Sequence, residues 1–212
     1  MTTTLPQLPH MVFTLVGDWR QIRLTREEHV KGDIERVTNA QFPEGDHYAP
    51  LRILARERYL RAAELARDGG AVGMFVLGQI AKNVPLPAVL TVYAPEDLVI
   101  APAVGTDPQQ VMDTFKEARA SVGMDEDLFT FSTPQSQVAR LVRTSTVDVN
   151  EATEDTVEAP MLEVDYWMTV PGSKRMVQIA VQTPVVHAPH IATRYFDRTV
   201  GGIQFITEEA RT

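Results

Sequence analysis

The sequence predicts an α+β fold with a mainly antiparallel sheet. Strand-like segments follow one another in consecutive runs, while helix-like segments fall in the first half and near the C-terminus. The end of the chain shows this order most clearly. Two predicted strands, residues 161–170 and 175–183, are joined by a tight turn at Pro171-Gly172-Ser173, and a helix at 189–200 and a short strand at 203–206 follow. This order predicts an antiparallel hairpin packed by a C-terminal helix.

The N-terminal region is predicted to hold a loose arm and then two short strands. Residues 1–10 contain two prolines and a run of threonines, which is typical of a flexible arm. Residues 11–212 are then expected to form a single domain. Gly17-Asp18 is a turn signal between β-prone segments at 11–16 and 19–24.

Two helices are predicted next, at residues 25–41 and 48–68. Thr25 and Glu28 have the spacing of a capping box at the start of the first helix. Gly69-Gly70 predicts the end of the second. Helical spacing of apolar residues predicts one buried face on each helix. These faces are Val30, Ile34 and Val37 in the first helix, and Leu51, Leu54, Ala55, Ala62, Leu65 and Ala66 in the second.

The middle of the chain is predicted to be mostly strand. The predicted strands are 71–77, 87–93, 128–132 and 138–147, with one helix at 108–121 that Asp107 caps. Residues 150–158 are acidic and polar, which predicts an exposed loop between two long strands.

Composition excludes several classes of function. The chain has 212 residues, a formal net charge of −8 and no cysteine. The lack of cysteine excludes disulfides, thiolate nucleophiles and Cys-ligated metals, and favours a reducing, cytoplasmic setting. The arginines between residues 52 and 67 are interleaved with acids, so they indicate a solvated helix face and no nucleic-acid partner. No apolar run approaches a membrane span, and no secretory signal is visible.

The sequence predicts no catalytic residue, no cofactor and no metal site. His187 and His190 lie three residues apart at the start of the last predicted helix, where two imidazoles could share a metal. A third ligand is missing from the pattern, so two polar residues at a helix start is the favoured interpretation. No serine lies in a G-x-S-x-G motif, and no phosphate-binding G-x-G-x-x-G occurs. A triad built from distant residues stays open.

Four residues of the C-terminal hairpin are the candidate partner contacts. Tyr166 and Trp167 are adjacent on one strand and therefore face opposite sides of the sheet, so one can lie in the core while the other packs under a helix or is exposed. An exposed tryptophan would be the better contact. Lys174 and Arg175 form a basic hairpin tip, which is either a contact site or a device for solubility.

Three segments of the chain carry a family resemblance. They are Gly17-Asp18-Trp19-Arg20-Gln21-Ile22, the helix at 48–70 that ends in Gly-Gly, and the hairpin at 166–182 with the following Phe196-Asp197 and Ile203-Gln204-Phe205-Ile206. Together they resemble a group of actinobacterial proteins with a PsbP-like fold, the type VII secretion-associated or LpqN-like group. The resemblance implies an α/β/α sandwich, in which a single antiparallel sheet has helices on both faces. It carries over no catalytic residue, and this chain lacks the lipobox cysteine of the exported lipoprotein members.

Three functions fit these observations. The favoured one is a non-enzymatic binding or accessory protein that contacts another protein through a sheet face or edge, with the resemblance implying a link to type VII secretion. The second is a small hydrolase-like enzyme whose site is assembled from distant residues. The third is a structural subunit of a larger assembly that uses residues 1–10 and 150–158 as contact elements. The oligomeric state stays open.

Overall fold

The computed structural model describes residues 9–42, 44–95, 98, 100, 105–124, 126–148 and 158–206. The predicted arm and the predicted acidic loop lie almost wholly outside these ranges. Within them the strands are β1 (His10–Val12), β2 (Trp19–Ile22), β3 (Ala71–Ala81), β4 (Val84–Tyr93), β5 (Phe129–Ser132), β6 (Gln137–Asp148), β7 (Glu158–Thr169), β8 (Met176–Thr183) and β9 (Gln204–Ile206). The helices are α1 (Glu27–Gln41), α2 (Ala49–Asp68), α3 (Pro108–Ser121) and α4 (Pro189–Gly201), and a 3-10 turn (Asp46–Tyr48) precedes α2.

Seven of these strands form one antiparallel sheet. Their order is β2-β3-β4-β8-β7-β6-β5, and each neighbouring pair runs antiparallel. This confirms the α+β class and the predicted hairpin, in which Val164 of β7 lies opposite Val181 of β8. Gly172 in the connecting turn has a φ of 64°, a left-handed conformation that favours glycine. The short β9 pairs with β1 in a separate two-stranded sheet.

The largest apolar cluster joins α4 to the central strands. Phe196 and Val200 of α4 belong to the same buried cluster as Val164, Tyr166 and Met168 of β7. Alternation along a strand sends these three β7 residues to one side of the sheet, and α4 packs against that side. The predicted packing of the hairpin by a C-terminal helix is therefore confirmed.

Two smaller clusters join the other helices to the sheet. Val30, Ile34 and Val37 of α1 pack with Ala63 and Ala66 of α2 and with residues of β2 and β3. Val111, Met112 and Phe115 of α3 pack with Trp167 of β7 and with Ala139 and Leu141 of β6. The predicted buried face of α1 is thus confirmed.

Two details of the predicted helices are wrong. The N-cap of α1 is Arg26, and its side chain makes no capping bond, so Thr25 and Glu28 do not form a capping box. In α2, Leu51 and Leu65 of the predicted face are 46% and 64% exposed; Ala66 of that face is buried as predicted, together with Ala63. The small alanines let α2 lie close to α1 and β3, and the larger leucines are left at its outer surface.

Candidate functional site

A polar group of side chains occupies the centre of the sheet on the side of Trp167. α2 contacts β3, and α3 contacts β6 and β7, so β4 and β8 lie between the strands that these two helices contact. Alternation along the strands directs the following residues to this side: Thr91 and Tyr93 on β4, Gln178 and Gln182 on β8, Glu163 and Asp165 on β7, and Arg143 and Ser145 on β6. We call this set the sheet-centre network.

Asp165 is the most buried acidic group of this network. The residue is 9% exposed. Its Oδ2 lies 2.5 Å from Nη2 of Arg143 on the neighbouring strand, and the side chain of Gln178 also donates to it. Beside this pair, the hydroxyl of Ser145 donates to Oε1 of Glu163 at 2.7 Å. Hydrogen bonds and an ion pair therefore link three adjacent strands through their side chains.

Burial raises the pKa of two groups in this network. It raises the pKa of Asp165, and it outweighs the lowering effects of Arg143 and Gln178. Burial also raises the pKa of Tyr93, and the nearby charge of Asp165 adds to that rise. The ring of Tyr93 lies against Gly69 at the end of α2, so close that a Cβ added at Gly69 would be 3.0 Å from it. The carboxyl of Asp165 thus takes up a proton more readily than an ordinary aspartate.

The rim of the network is open to solvent. The side chain of Arg143 is 51% exposed, and Gln182 is also exposed. A ligand can therefore reach donors and acceptors at the rim while Asp165 and Thr91 form a buried floor. The arrangement can bind a basic or hydrogen-bonding group, and its carboxyl can exchange a proton with such a group.

The two aromatic candidates lie inside the fold. Tyr166 is fully buried, its hydroxyl donates to Oδ1 of Asp197 at 3.0 Å, and burial raises its pKa. Trp167 is 7% exposed and packs against Phe115, with the guanidinium of Arg119 4.7 Å from the centre of its ring. They face opposite sides of the sheet, as predicted. A contact role for either ring stays a prediction, and the burial of both does not favour it.

The two basic candidates do not form an exposed tip. Arg175 is 7% exposed, and its Nη2 donates to the carbonyl of Ala94 at 3.1 Å. The carbonyl of Lys174 accepts a bond from the amide of Ile100 at 3.0 Å, and its side chain is half-buried. The guanidinium of Arg175 thus ties the hairpin to the chain just after β4. A partner contact by these two residues also stays a prediction.

A second polar feature lies at the edge of the sheet. Arg20 in β2, Arg23 just after it, and Asp33 and Arg36 in α1 line a cavity of about 330 Å³ together with Gln21 and Val37. We call it the arginine groove. Within the described ranges, no group of three His, Cys, Asp or Glu side chains could hold a metal ion. No helix of the described chain is both long enough and apolar enough to cross a bilayer.

Comparison of the chain with protein-family models, curated proteins and solved structures gives no match.

Sequence reasoning missed both polar features, although the sheet-centre network has a local signal in β7. Glu163 and Asp165 alternate with Leu162, Val164 and Tyr166, a pattern that places two acids on one face of an otherwise apolar strand. The partners of Asp165 come from other strands, so no motif contains them. No single motif contains the residues of the arginine groove either, because they lie on a strand and on the following helix.

Proposed function

We propose that this chain is a non-enzymatic accessory protein that binds a protein partner at the sheet-centre network. The observation that carries the proposal is a buried, ion-paired carboxylate, Asp165, in the middle of a sheet and beneath an open polar rim. A site of this kind suits a partner side chain that donates hydrogen bonds. It lies on the same side of the sheet as α3 and not on the side that α4 packs.

The energetics of Asp165 support a binding role. Taking a charged carboxylate out of water is unfavourable unless partners compensate for it. Burial outweighs the compensation that Arg143 and Gln178 provide, since the net effect raises the pKa. A lysine or arginine from a partner would supply further compensation, so the network would gain from contact with a basic group. Charge favours the same choice, because the chain carries a net charge of −8.

Several finer features belong to this proposal. We infer that α4 covers one face of the sheet and that α1, α2 and α3 cover the other, as in an α/β/α sandwich of the PsbP-like kind. The separate apolar clusters around α4 and α3 support this arrangement. A place in type VII secretion and a cytoplasmic location rest on the resemblance and on the composition.

The test is an affinity pull-down with a matched pair of variants. Tagged wild-type protein is incubated with native lysate, and a stoichiometric partner is identified by mass spectrometry. Gln182→Arg adds bulk and positive charge at the exposed rim of the network. Gln109→Arg makes the same change in α3, where an arginine can keep the contact that Gln109 makes with Asp113. Denaturant unfolding of all three proteins checks that both variants fold.

We expect the partner to be retained by Gln109→Arg and lost or strongly reduced with Gln182→Arg. Equal recovery with both variants would place the contact elsewhere on the chain. Recovery of no partner with the wild type, repeated at a higher protein concentration, would count against the accessory function itself.

The hydrolase-like enzyme is the second candidate, and the raised pKa of Asp165 favours it. A carboxyl whose pKa is raised by burial suits general acid–base catalysis, and Tyr93 and Ser145 belong to the same network. A panel of chromogenic esters, phosphoesters and glycosides tests it. Turnover that Asp165→Asn abolishes in a folded protein would favour the enzyme, whereas equal background rates in both proteins would reject this site.

A further inference from the structure

The arginine groove combines a fixed pair of guanidinium groups with an excess of positive charge. Its lining contains three arginines, Arg20, Arg23 and Arg36, and one acid, Asp33. The lining therefore has two more positive than negative charges, in a chain whose overall net charge is −8. The groove shares no residue with the sheet-centre network.

Asp33 holds two of the arginines in place. The residue is 1% exposed. Its Oδ2 accepts bonds from the backbone amide and from Nε of Arg23, both at 2.9 Å. Its Oδ1 accepts a bond from Nη2 of Arg23 at 2.8 Å and is also bonded by Nη2 of Arg36. One buried carboxylate thus orients two guanidinium groups, and it joins α1 to the end of β2.

The outer parts of the arginines remain within reach of solvent. The side chains of Arg23 and Arg36 are 49% and 68% exposed, although both contact the buried Asp33. Arg20 pairs with Asp18 at 3.1 Å, and both of these side chains are partly exposed. Exposed ion pairs of this kind are weak, so Arg20 can exchange Asp18 for another anion.

We propose that the arginine groove binds a small oxyanion, in the form of a phosphate or a carboxylate group. Guanidinium groups present planar sets of N–H donors that match the oxygens of these anions. Each guanidinium has five donors, so Arg23 and Arg36 keep donors beyond those that Asp33 accepts. Because Asp33 fixes their positions before the ligand arrives, little ordering is required on binding. Asp33 is a positioning residue for this site, and Arg20, Arg23 and Arg36 supply the donors.

The test follows the arginine Nε–Hε resonances of the wild-type protein by NMR. The protein is titrated with inorganic phosphate and, separately, with acetate, while sodium chloride keeps the ionic strength constant. We expect saturable shifts at Arg20, Arg23 and Arg36 with at least one of the two anions. Saturation with phosphate alone would identify the ligand as a phosphate group, and saturation with acetate alone would identify a carboxylate.

Three variants make the test specific. We expect Arg20→Gln and Arg36→Gln each to weaken anion binding by about tenfold, the effect of losing one charge-assisted hydrogen bond. Arg194→Gln on the exposed side of α4 is the matched control and should bind like the wild type. If Arg36→Gln fails to fold, Arg20→Gln still tests the proposal, because Arg20 is not one of the two arginines bonded to Asp33. Non-saturating shifts of equal size at Arg194 and at the groove, or unchanged affinity in both groove variants, would overturn the proposal.

Discussion

Removal of the Phe196 ring tests whether α4 is held to the sheet by the cluster described above. Phe196 is 0% exposed and lies among Tyr166, Val164 and Met168 of β7. Replacing a fully buried phenylalanine by alanine destabilises a protein by about 3–5 kcal/mol, because transfer free energy is lost and a cavity remains. A domain of this size has a free energy of unfolding of about 5–15 kcal/mol. The substitution should therefore remove about a fifth or more of that stability.

The matched control for this substitution lies on the same helix. Ile191 is 59% exposed, so Ile191→Ala removes little buried surface and should change the free energy of unfolding by about 0.5 kcal/mol or less. Urea unfolding followed by tryptophan fluorescence measures the free energy of unfolding of both variants. In thermal unfolding, the melting temperature of Phe196→Ala should fall by roughly 6–20 °C relative to the wild type. A loss for Phe196→Ala no larger than that for Ile191→Ala would refute the packing of α4 on the sheet.

Four further substitutions test other parts of the structure by urea unfolding. Ile34→Ala in α1 should cost about 2–5 kcal/mol, whereas Leu65→Ala at the surface of α2 should cost about 0.5 kcal/mol or less; equal losses would contradict the burial assigned to α2. Tyr166→Phe should cost about 1–3 kcal/mol because Asp197 loses a buried donor, and an unchanged stability would show that this bond contributes nothing. Asp165 has a pKa raised by folding, so the folded state binds the extra proton and the contribution of Asp165 to stability falls as pH rises above the ordinary aspartate range. Asp165→Asn should therefore gain stability relative to the wild type between acidic and neutral pH, and a constant difference across that range would contradict the raised pKa.

The C-terminal part of the fold was predictable because its signals are local. Pro171 and Gly172 set the hairpin turn, and the strands on either side of them pair directly. The helix α4 begins and ends within one residue of the predicted 189–200. The hairpin between β3 and β4 was harder to see, because its turn contains Asn83 at a φ of 62° and no glycine. The structure extends β3 to Ala81 and begins β4 at Val84, beyond the predicted ends at residues 77 and 87.

The buried face of α2 could not be predicted from helical spacing. Apolar residues lie on several sides of this helix, so more than one stripe fits the periodicity. The selected stripe contained the large residues Leu51, Leu54 and Leu65. The structure leaves these leucines exposed and buries Ala66 of that stripe together with Ala63, whose small side chain permits close contact with α1 and β3. The close approach of α2 to α1 and β3 decides which of its residues are buried, and helical periodicity alone does not contain that distance.

The candidate site was out of reach for a related reason. The sequence made Trp167 a candidate partner contact, although its ring packs against Phe115 and Arg119 of α3. The environment of Asp165 depends on Arg143 from β6 and Gln178 from β8, which no local pattern in β7 contains. Strand pairing creates the site, and single-sequence patterns carry no register between distant strands.

The two buried carboxylates among the described residues, Asp33 and Asp165, have surroundings of different charge. Asp33 accepts bonds from two arginines, so the charge excess around it is positive and further anions are favoured. Asp165 has one close arginine, and Glu163 beside it adds negative charge that raises its pKa further. A cation placed there would stabilise the ionised form of Asp165 and lower the pKa of its carboxyl. The proposed oxyanion site and the proposed partner site would thus each be organised around a buried carboxylate, one at the edge and one at the centre of the sheet.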